Sequence, residues 1–316
     1  MKKISLAKKE DNTMKSVFDK FITYKKASNL SEETISYYNI IFKIFGDFYD
    51  IDLPCHGINK DIYYDYISFL RETKPNIKDV TINSYLRGLR AILYYAMEEG
   101  YIEHFKINLI KADKELKETY LEAELEKLLK KPNIKKCDFA EYRDWVAINY
   151  FLATGNRVST AANVKICNLD FSNAVVLLIK TKNRKQQIIP LSTALIPILK
   201  EYIKYRGGKE DDYLFCNQFG GQLSKRGFQS SIEKYNLSRG VSKTSIHLFR
   251  NTFAKNWILN GGDIFRLQKI LGHSTLDMVK TYVDMFGHDL KNDFDEFNPL
   301  NNLIKKYPNN KKINLV

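Results

Sequence analysis

At one place in this chain the spacing of apolar residues changes from helical to extended, and that change restricts the fold most strongly. From residue 14 to about residue 105, large apolar side chains recur every three or four positions, the period of a helix with one buried face. An extended pattern replaces it at 174–180 and 186–191, two apolar runs that flank the polar turn 181–184. The sequence therefore predicts a mainly α protein with a small β-hairpin.

Four helices are expected in the first hundred residues. Ser31 is a good N-cap, Glu32 and Glu33 follow it in the first turn, and Gly100 is a natural stop for the fourth helix. We expect a compact helical domain at 14–105, preceded by a flexible N-terminus at 1–13. The apolar positions that recur at helical spacing are Val17, Phe21, Tyr24, Ile35, Tyr38, Ile41, Phe42, Phe45, Ile62, Tyr66, Phe69, Leu70, Ile82, Leu86, Leu89, Ile92, Leu93 and Ala96.

A charged and weakly periodic stretch at 106–118 predicts a linker between two domains. We place a second domain at 119–290 and a C-terminal segment with a basic, flexible tail at 291–316. Within the second domain, helical patterns recur at 121–129, before Gly155, at 192–206, around 247–258 and after Ser274.

The charge of the chain points to a polyanionic partner. The formal net charge is +13 and the isoelectric point is near 9.3, which favours DNA or RNA. Residues 1–117 hold 19 basic against 17 acidic side chains, a net of +2, whereas residues 118–316 hold 31 against 20, a net of +11. Lysine-rich coding bias does not explain why the excess lies in the second half.

Several other classes are excluded by the pattern. The sequence has no apolar run of 18 residues, so it predicts no membrane span. The residues after Met1 do not form a secretory signal, and there is no glycine-rich GKS or GKT loop that would indicate a nucleotide site. The four cysteines lack zinc-ligand spacing and are expected to be free thiols in a reducing cytoplasm. We therefore expect neither a metal nor a cofactor.

The second half carries a set of residues that could cut a phosphodiester without a metal. Arg157 follows Gly155 at the start of a helix, where its fork of donors suits a phosphate. His247 and Arg250 share a face at i and i+3, and His273 precedes Tyr282 by nine residues. Each motif alone is common by chance, but the ordered set is specific.

The chemistry needs these residue types. Arginines can clamp a phosphate, histidines and a lysine can move protons, and a tyrosine can be the nucleophile. The lysine is Lys182 in the hairpin turn, although Lys180 and Lys185 lie close to it.

The ordered set resembles the catalytic boxes of the tyrosine recombinase family, the phage-integrase and Xer-like enzymes. The matching stretches are Ala153-Thr-Gly-Asn-Arg-Val-Ser159, Lys182 with the hairpin end at Ile189-Pro-Leu191, His247-Leu-Phe-Arg-Asn-Thr-Phe-Ala254, and Leu271-Gly-His-Ser274 through Tyr282. Two positions depart from the family pattern. Thr160 stands where an acidic residue is usual, and Asn251 stands where a second histidine is common.

The resemblance implies a helical core-DNA-binding domain followed by an α+β catalytic domain. It implies that Tyr282 attacks a backbone phosphate to give a 3′-phosphotyrosyl link and a free 5′-hydroxyl, without ATP. Arg157 and Arg250 would stabilise the phosphoryl charge, while His273 would donate a hydrogen bond to the phosphate. His247 would assist as general base, and Lys182 would protonate the leaving oxygen.

The resemblance also implies partners. They are double-stranded DNA recombination sites, further copies of the chain in a homotetramer on synapsed DNA, and accessory DNA-bending or directionality proteins. The expected location is the cytoplasm, in association with the nucleoid, for a prokaryotic or phage-encoded protein. An apolar series from Leu290 to Ile304 could dock on a neighbouring protomer or on its own domain. Integration and excision of a mobile element is the expected role. Xer-type dimer resolution, type IB topoisomerase-like relaxation and a catalytically idle DNA-binding protein stay open as alternatives.

Overall fold

The computed structural model describes residues 12–113, 117–179, 186–286 and 298–301. The chain divides into two compact units between residues 115 and 116. Within the described residues, no helix is long and apolar enough to cross a membrane.

The first unit is built from four helices. They are α1 (Met14–Ala27), α2 (Glu32–Gly46), α3 (Lys60–Thr73) and α4 (Asp79–Glu98). Side-chain oxygens of Thr13, Ser31 and Asn59 accept from backbone amides in the first turns of α1, α2 and α3, which satisfies donors that a helix start leaves open. The apolar faces meet in one core.

Most of the helically spaced apolar positions of this unit are buried, and Tyr24 is the clear exception. Its side chain is 51% exposed. Tyr24 lies in the last turn of α1, where its ring stacks on Tyr95 with centroids 5.6 Å apart and lies under the ammonium of Lys25. Tyr24 shares a helix face with Val17 and Phe21, as predicted, but helical period alone does not show where that face leaves the core.

The residues after α4 are fastened to the first unit. Asn83 donates through Nδ2 to the carbonyl of Ile110 at 2.9 Å and accepts from its amide at 3.0 Å. The Tyr63 hydroxyl donates to the carbonyl of Asn108 at 2.7 Å, and Ile107 is buried. Residues 107–110, which fall in the predicted linker, thus pack with the helical unit.

The second unit combines helices with a small sheet. Its helices are α5 (Glu122–Leu129), α6 (Phe139–Thr154), α7 (Val158–Ala161), α8 (Leu195–Arg206), α9 (Lys225–Ser238), α10 (Ile246–Leu259), α11 (Ile264–Leu271) and α12 (Asp277–Phe286). The strands are β1 (Leu169–Asp170), β2 (Val175–Leu178) and β3 (Gln187–Pro190), antiparallel in the order β1-β2-β3. The predicted fold class, mainly α with a small hairpin, is confirmed, and β1 extends the hairpin to three strands.

Helix α6 lies at the centre of this unit. It packs against α8, α9 and α10, so nearly every face is buried. The helix ends at Gly155, which adopts φ +62°, a conformation that glycine enters without a Cβ penalty. This sharp ending carries the chain directly into the segment that holds Arg157.

Candidate active site

Arg157 is placed by the end of one helix and the start of the next. It is the N-cap of α7, with extended backbone angles, two residues after the left-handed Gly155. Its side chain is half-buried, and Nη1 donates to the carbonyl of Leu271 at 3.4 Å. Burial lowers its pKa, because the charged form loses hydration.

Arg250 lies deeper, on the buried face of α10. Nη1 donates to the carbonyl of Gly155 at 2.8 Å, and Nη2 donates to that of Leu271 at 2.8 Å. The Leu271 carbonyl therefore accepts hydrogen bonds from both arginines. Burial, followed by repulsion from Arg157, lowers the pKa of Arg250 to about 10, so it stays charged at neutral pH.

His273 follows the left-handed Gly272 that ends α11. Its Nε2 lies 2.6 Å from Nη2 of Arg250. A guanidinium can only donate, so Nε2 must accept and the ring must be neutral. Burial, then the charges of Arg250, Arg157 and Lys117, lower the pKa of His273 to about 3. Its Nδ1 is buried and has no hydrogen-bond partner among the described atoms.

His247 lies on the first turn of α10 with an exposed side chain. Desolvation by the surrounding protein, followed by the positive charges of Arg250, Lys117 and Arg157, lowers its pKa. A neutral imidazole at neutral pH can accept a proton. Lys182, the remaining predicted residue, lies outside the described residues.

Tyr282, on α12, is 1% exposed. Its hydroxyl donates to Oδ1 of Asn251 at 3.0 Å. Burial raises the pKa of the phenol, and the positive charges of Arg250 and Arg157 oppose that rise. Apolar contacts come from the small cluster that includes Leu271 and Val279.

A cavity of about 500 Å³ opens over these groups. Arg157, Arg250 and His273 contribute to its wall, together with Thr160, which is the residue at the usual acidic position. The cavity combines two fixed cations with a neutral imidazole, a lining that suits a phosphodiester. Among the described side chains, no group of three acidic, histidine or cysteine residues could hold a metal ion.

The structure connects Arg157, Arg250 and His273 through hydrogen bonds, and Tyr282 is bonded to Asn251, the residue next to Arg250. His247 lies on the same helix as Arg250. Three residues that the sequence analysis did not predict lie in or beside this arrangement: Lys117, Gln187 and Asn251. Lys117 fell within the predicted linker, and Asn251 had been noted only as a departure from a pattern. Gln187 carried no signal, since glutamine in a strand is ordinary.

Two models of known protein families match the chain. Residues 118–288 match the model of the phage integrase family, and residues 11–113 match the phage integrase SAM-like domain. The chain belongs to the phage integrase family. The prediction that it is a tyrosine recombinase, an enzyme of site-specific recombination acting on DNA, is thereby confirmed.

Relatives match along most of their length. The tyrosine recombinase XerC of Bacillus subtilis is 28% identical over 297 residues, which cover 88% of this chain and 95% of the relative. The XerC of Leptospira interrogans is 27% identical over 288 residues, with 89% and 92% covered.

Solved structures share the fold. A Tn1549 transposon integrase in complex with transposon right end DNA superposes with a TM-score of 0.73 at 20% identity, covering 94% of this chain and all of that chain. A lambda integrase dimer bound to a core site gives 0.70 at 17% identity, covering 88% and 98%.

Proposed function

We propose that this protein cuts and rejoins DNA through a 3′-phosphotyrosyl intermediate formed on Tyr282. The observation that supports this most is a chain of contacts: Arg157 and Arg250 donate to the Leu271 carbonyl, and His273 contacts Arg250. Tyr282 is bonded to Asn251, the residue next to Arg250. Two arginines fixed by backbone carbonyls need no rearrangement when charge builds on a phosphate, which is where such groups contribute most.

The proposed first step is an in-line attack. The phenolic oxygen of Tyr282 bonds to phosphorus, the bond to the 5′ oxygen breaks, and the phenol proton passes to His247. Lys182 supplies a proton to the leaving 5′ oxygen. The charges of Arg157 and Arg250 favour the phenolate over the phenol, which offsets the desolvation that raises its pKa.

His273 is proposed to contact the phosphate in its neutral form. Its Nε2 is engaged by Arg250, so its proton resides on Nδ1. A phosphate oxygen would supply the acceptor that Nδ1 lacks among the described atoms.

Rejoining reverses the first step with a different 5′-hydroxyl as the nucleophile. The phosphotyrosyl bond conserves the energy of the broken bond, so no ATP is consumed. Strand exchange between two duplexes requires four cuts, and we propose that a homotetramer on synapsed DNA performs them at the nucleoid, aided by accessory proteins. We further propose integration and excision of a mobile element as the biological role, with Xer-type resolution as the alternative.

Covalent trapping tests the chemistry. Nicked duplexes from the DNA that flanks the gene are incubated with the protein without metal or ATP, and SDS-resistant adducts are scored. We expect an adduct with the native protein and none with Tyr282→Phe, although that variant still binds DNA. Tyr202→Phe is a matched control, since it removes a hydroxyl that is equally buried but has no partner among the described atoms.

Two outcomes would refute the proposal. One is an adduct that persists in Tyr282→Phe, which would place the nucleophile elsewhere. The other is tight binding to every flanking fragment without any adduct, which would favour a catalytically idle DNA-binding protein. Sequencing the joined products then separates the roles, because integration yields element–host junctions and resolution yields monomer replicons.

A further inference from the structure

The proposed nucleophile is held by a residue outside the predicted catalytic set. The Tyr282 hydroxyl donates to Oδ1 of Asn251 at 3.0 Å. Both side chains are buried, at 1% and 4% exposure, so water does not compete for this bond. Asn251 directly follows Arg250 on α10, and one turn of helix thus presents a phosphate clamp and a partner for the nucleophile.

The orientation of the Asn251 amide is fixed from its other end. Nδ2 donates to the carbonyl of Glu118 at 3.1 Å. A flipped amide would place Oδ1 against that carbonyl, oxygen facing oxygen, and would present Nδ2 to the phenol. The Glu118 carbonyl therefore selects the rotamer in which Asn251 accepts from Tyr282.

The aromatic ring of Tyr282 is held by the same segment. The ammonium of Lys117 lies 3.8 Å from the ring centroid, a cation–π contact that restricts the ring face. The segment itself is tied to α10, because the amide of Tyr120 donates to Oγ1 of Thr252 at 2.9 Å. Residues 117–120 and Asn251 thus restrain both ends of the proposed nucleophile.

We propose that Asn251 is a positioning residue that aims the Tyr282 hydroxyl at the phosphate. This inference rests on the proposed function of Tyr282. A carboxamide accepts a hydrogen bond without taking up a proton, so it fixes the direction of the phenol and leaves proton removal to another group. A neutral group also avoids a further positive charge beside Arg157, Arg250 and Lys117.

Replacement of Asn251 tests this role. Asn251→Leu keeps the volume but has no acceptor, whereas Asn251→His restores an acceptor at the same place. Asn256→Leu is the matched control, an exposed asparagine on the same helix. Single-turnover adduct formation on saturating nicked duplex gives the rate, anisotropy gives the DNA dissociation constant, and thermal melting checks the fold.

We expect Asn251→Leu to form adduct about ten- to a hundred-fold more slowly, because small misplacements of a reacting group have effects of this size. Its DNA dissociation constant should change less than about twofold, since Asn251 is buried away from solvent. Asn251→His should recover most of the rate, and Asn256→Leu should match the native protein. A merely structural role would not give this split between rate and binding, nor the rescue.

A folded Asn251→Leu variant with a native adduct rate would overturn the inference, and so would a folded Asn251→His variant as slow as Asn251→Leu. If Asn251→Leu does not fold, Asn251→Ser replaces it, since its short side chain fits the space but ends short of the phenol. The proposed function fails separately: in that case the native protein forms no adduct, or Tyr282→Phe still forms one.

Discussion

Nη2 of Arg250 and Nε2 of His273 lie 2.6 Å apart, and this short contact defines the protonation of the site. Two donors at that separation would repel, so the imidazole is neutral and carries its proton on Nδ1. The same contact separates the roles of the two histidines. His273 is committed to Arg250, whereas His247, with its exposed ring, can exchange a proton.

Stability should depend on pH through His273. In the unfolded chain a histidine binds a proton near pH 6.5, but in the folded protein burial and Arg250 lower the pKa of His273 to about 3. Between these values the unfolded state binds more protons, so the free energy of unfolding rises with pH and decreases on acidification from pH 7 to 5. His273→Gln keeps an acceptor for Arg250 but cannot titrate.

Urea titrations at pH 7.0, 6.0 and 5.0 measure this effect. The native protein should become less stable on acidification more steeply than His273→Gln, and the residual slope of the variant should include His247, whose pKa is also lowered. If the free energies of unfolding of the two proteins fell equally between pH 7 and pH 5, folding would not lower the pKa of His273.

The two arginines should differ in what they contribute to stability. Arg250 donates to the carbonyls of Gly155 and Leu271 at 2.8 Å and is buried, whereas Arg157 is half-buried with one longer bond. Arg250→Lys should therefore lower the free energy of unfolding by about 2–3 kcal/mol, because a buried carbonyl is left unpaired. Arg157→Lys should lower it by about 0.5 kcal/mol.

Both substitutions should reduce adduct formation by about a hundredfold or more, since each removes a planar donor from the proposed phosphate site. Urea unfolding and the trapping assay on the same preparations measure the two effects. Equal destabilisation by the two variants would contradict the distinction drawn from their bonding.

Gln187 should support the site from the sheet. Its Nε2 donates to the carbonyls of Lys269 and, at 2.8 Å, of Ile270, which ties β3 to the end of α11. The next residue along α11 is Leu271, whose carbonyl receives both arginines. Gln187→Leu should slow adduct formation by roughly three- to tenfold, in line with the sensitivity of catalysis to small displacements. Gln218→Leu, at an exposed loop position, is the control, and a native rate for Gln187→Leu would refute the link.

Sequence periodicity was sufficient for the main elements because their signals are local. The helical spacing at 14–98 and the paired apolar runs at 175–190 report burial directly, and helix ends were indicated by Ser31 and Gly155. The two-residue strand β1 escaped prediction, since two residues at 169–170 carry no period. The proposed catalytic set could be suggested from the sequence because its residue types are chemically unusual as an ordered group.

The residues that hold the proposed site in place, Asn251 and Gln187, could not be predicted from the sequence in the same way. The bond from Asn251 to the Glu118 carbonyl joins residues 133 positions apart, and the bond from Gln187 to the Ile270 carbonyl spans 83. Asparagine and glutamine are common polar residues, so a single sequence does not distinguish one that holds an active site from one that faces solvent. Only the packing of α10, α11 and β3 brings these amides to their partners.

A side chain at Gly155 should destabilise the folded protein for two separable reasons. Its φ of +62° costs a residue with a Cβ about 1 kcal/mol, and a Cβ would lie 2.6 Å from Cδ1 of Phe253 and 2.9 Å from Cδ2 of Leu271. Gly240 has φ +71° but open space around its Cβ position, so it isolates the first reason. Gly240→Ala should lower the free energy of unfolding by about 1 kcal/mol, and Gly155→Ala by about 3 kcal/mol, because overpacking adds to the backbone strain.

Urea unfolding at pH 7 measures both variants, and the trapping assay separates them further. The Gly155 carbonyl accepts from Arg250 and the adjacent Leu271 carbonyl accepts from both arginines, so a shift of either should slow adduct formation in Gly155→Ala. Gly240→Ala should react at the native rate, since Gly240 follows α9, which bears none of the proposed catalytic residues. Equal loss of stability in the two variants would mean that Phe253 and Leu271 move aside freely, and that the ending of α6 does not fix the positions of the arginines.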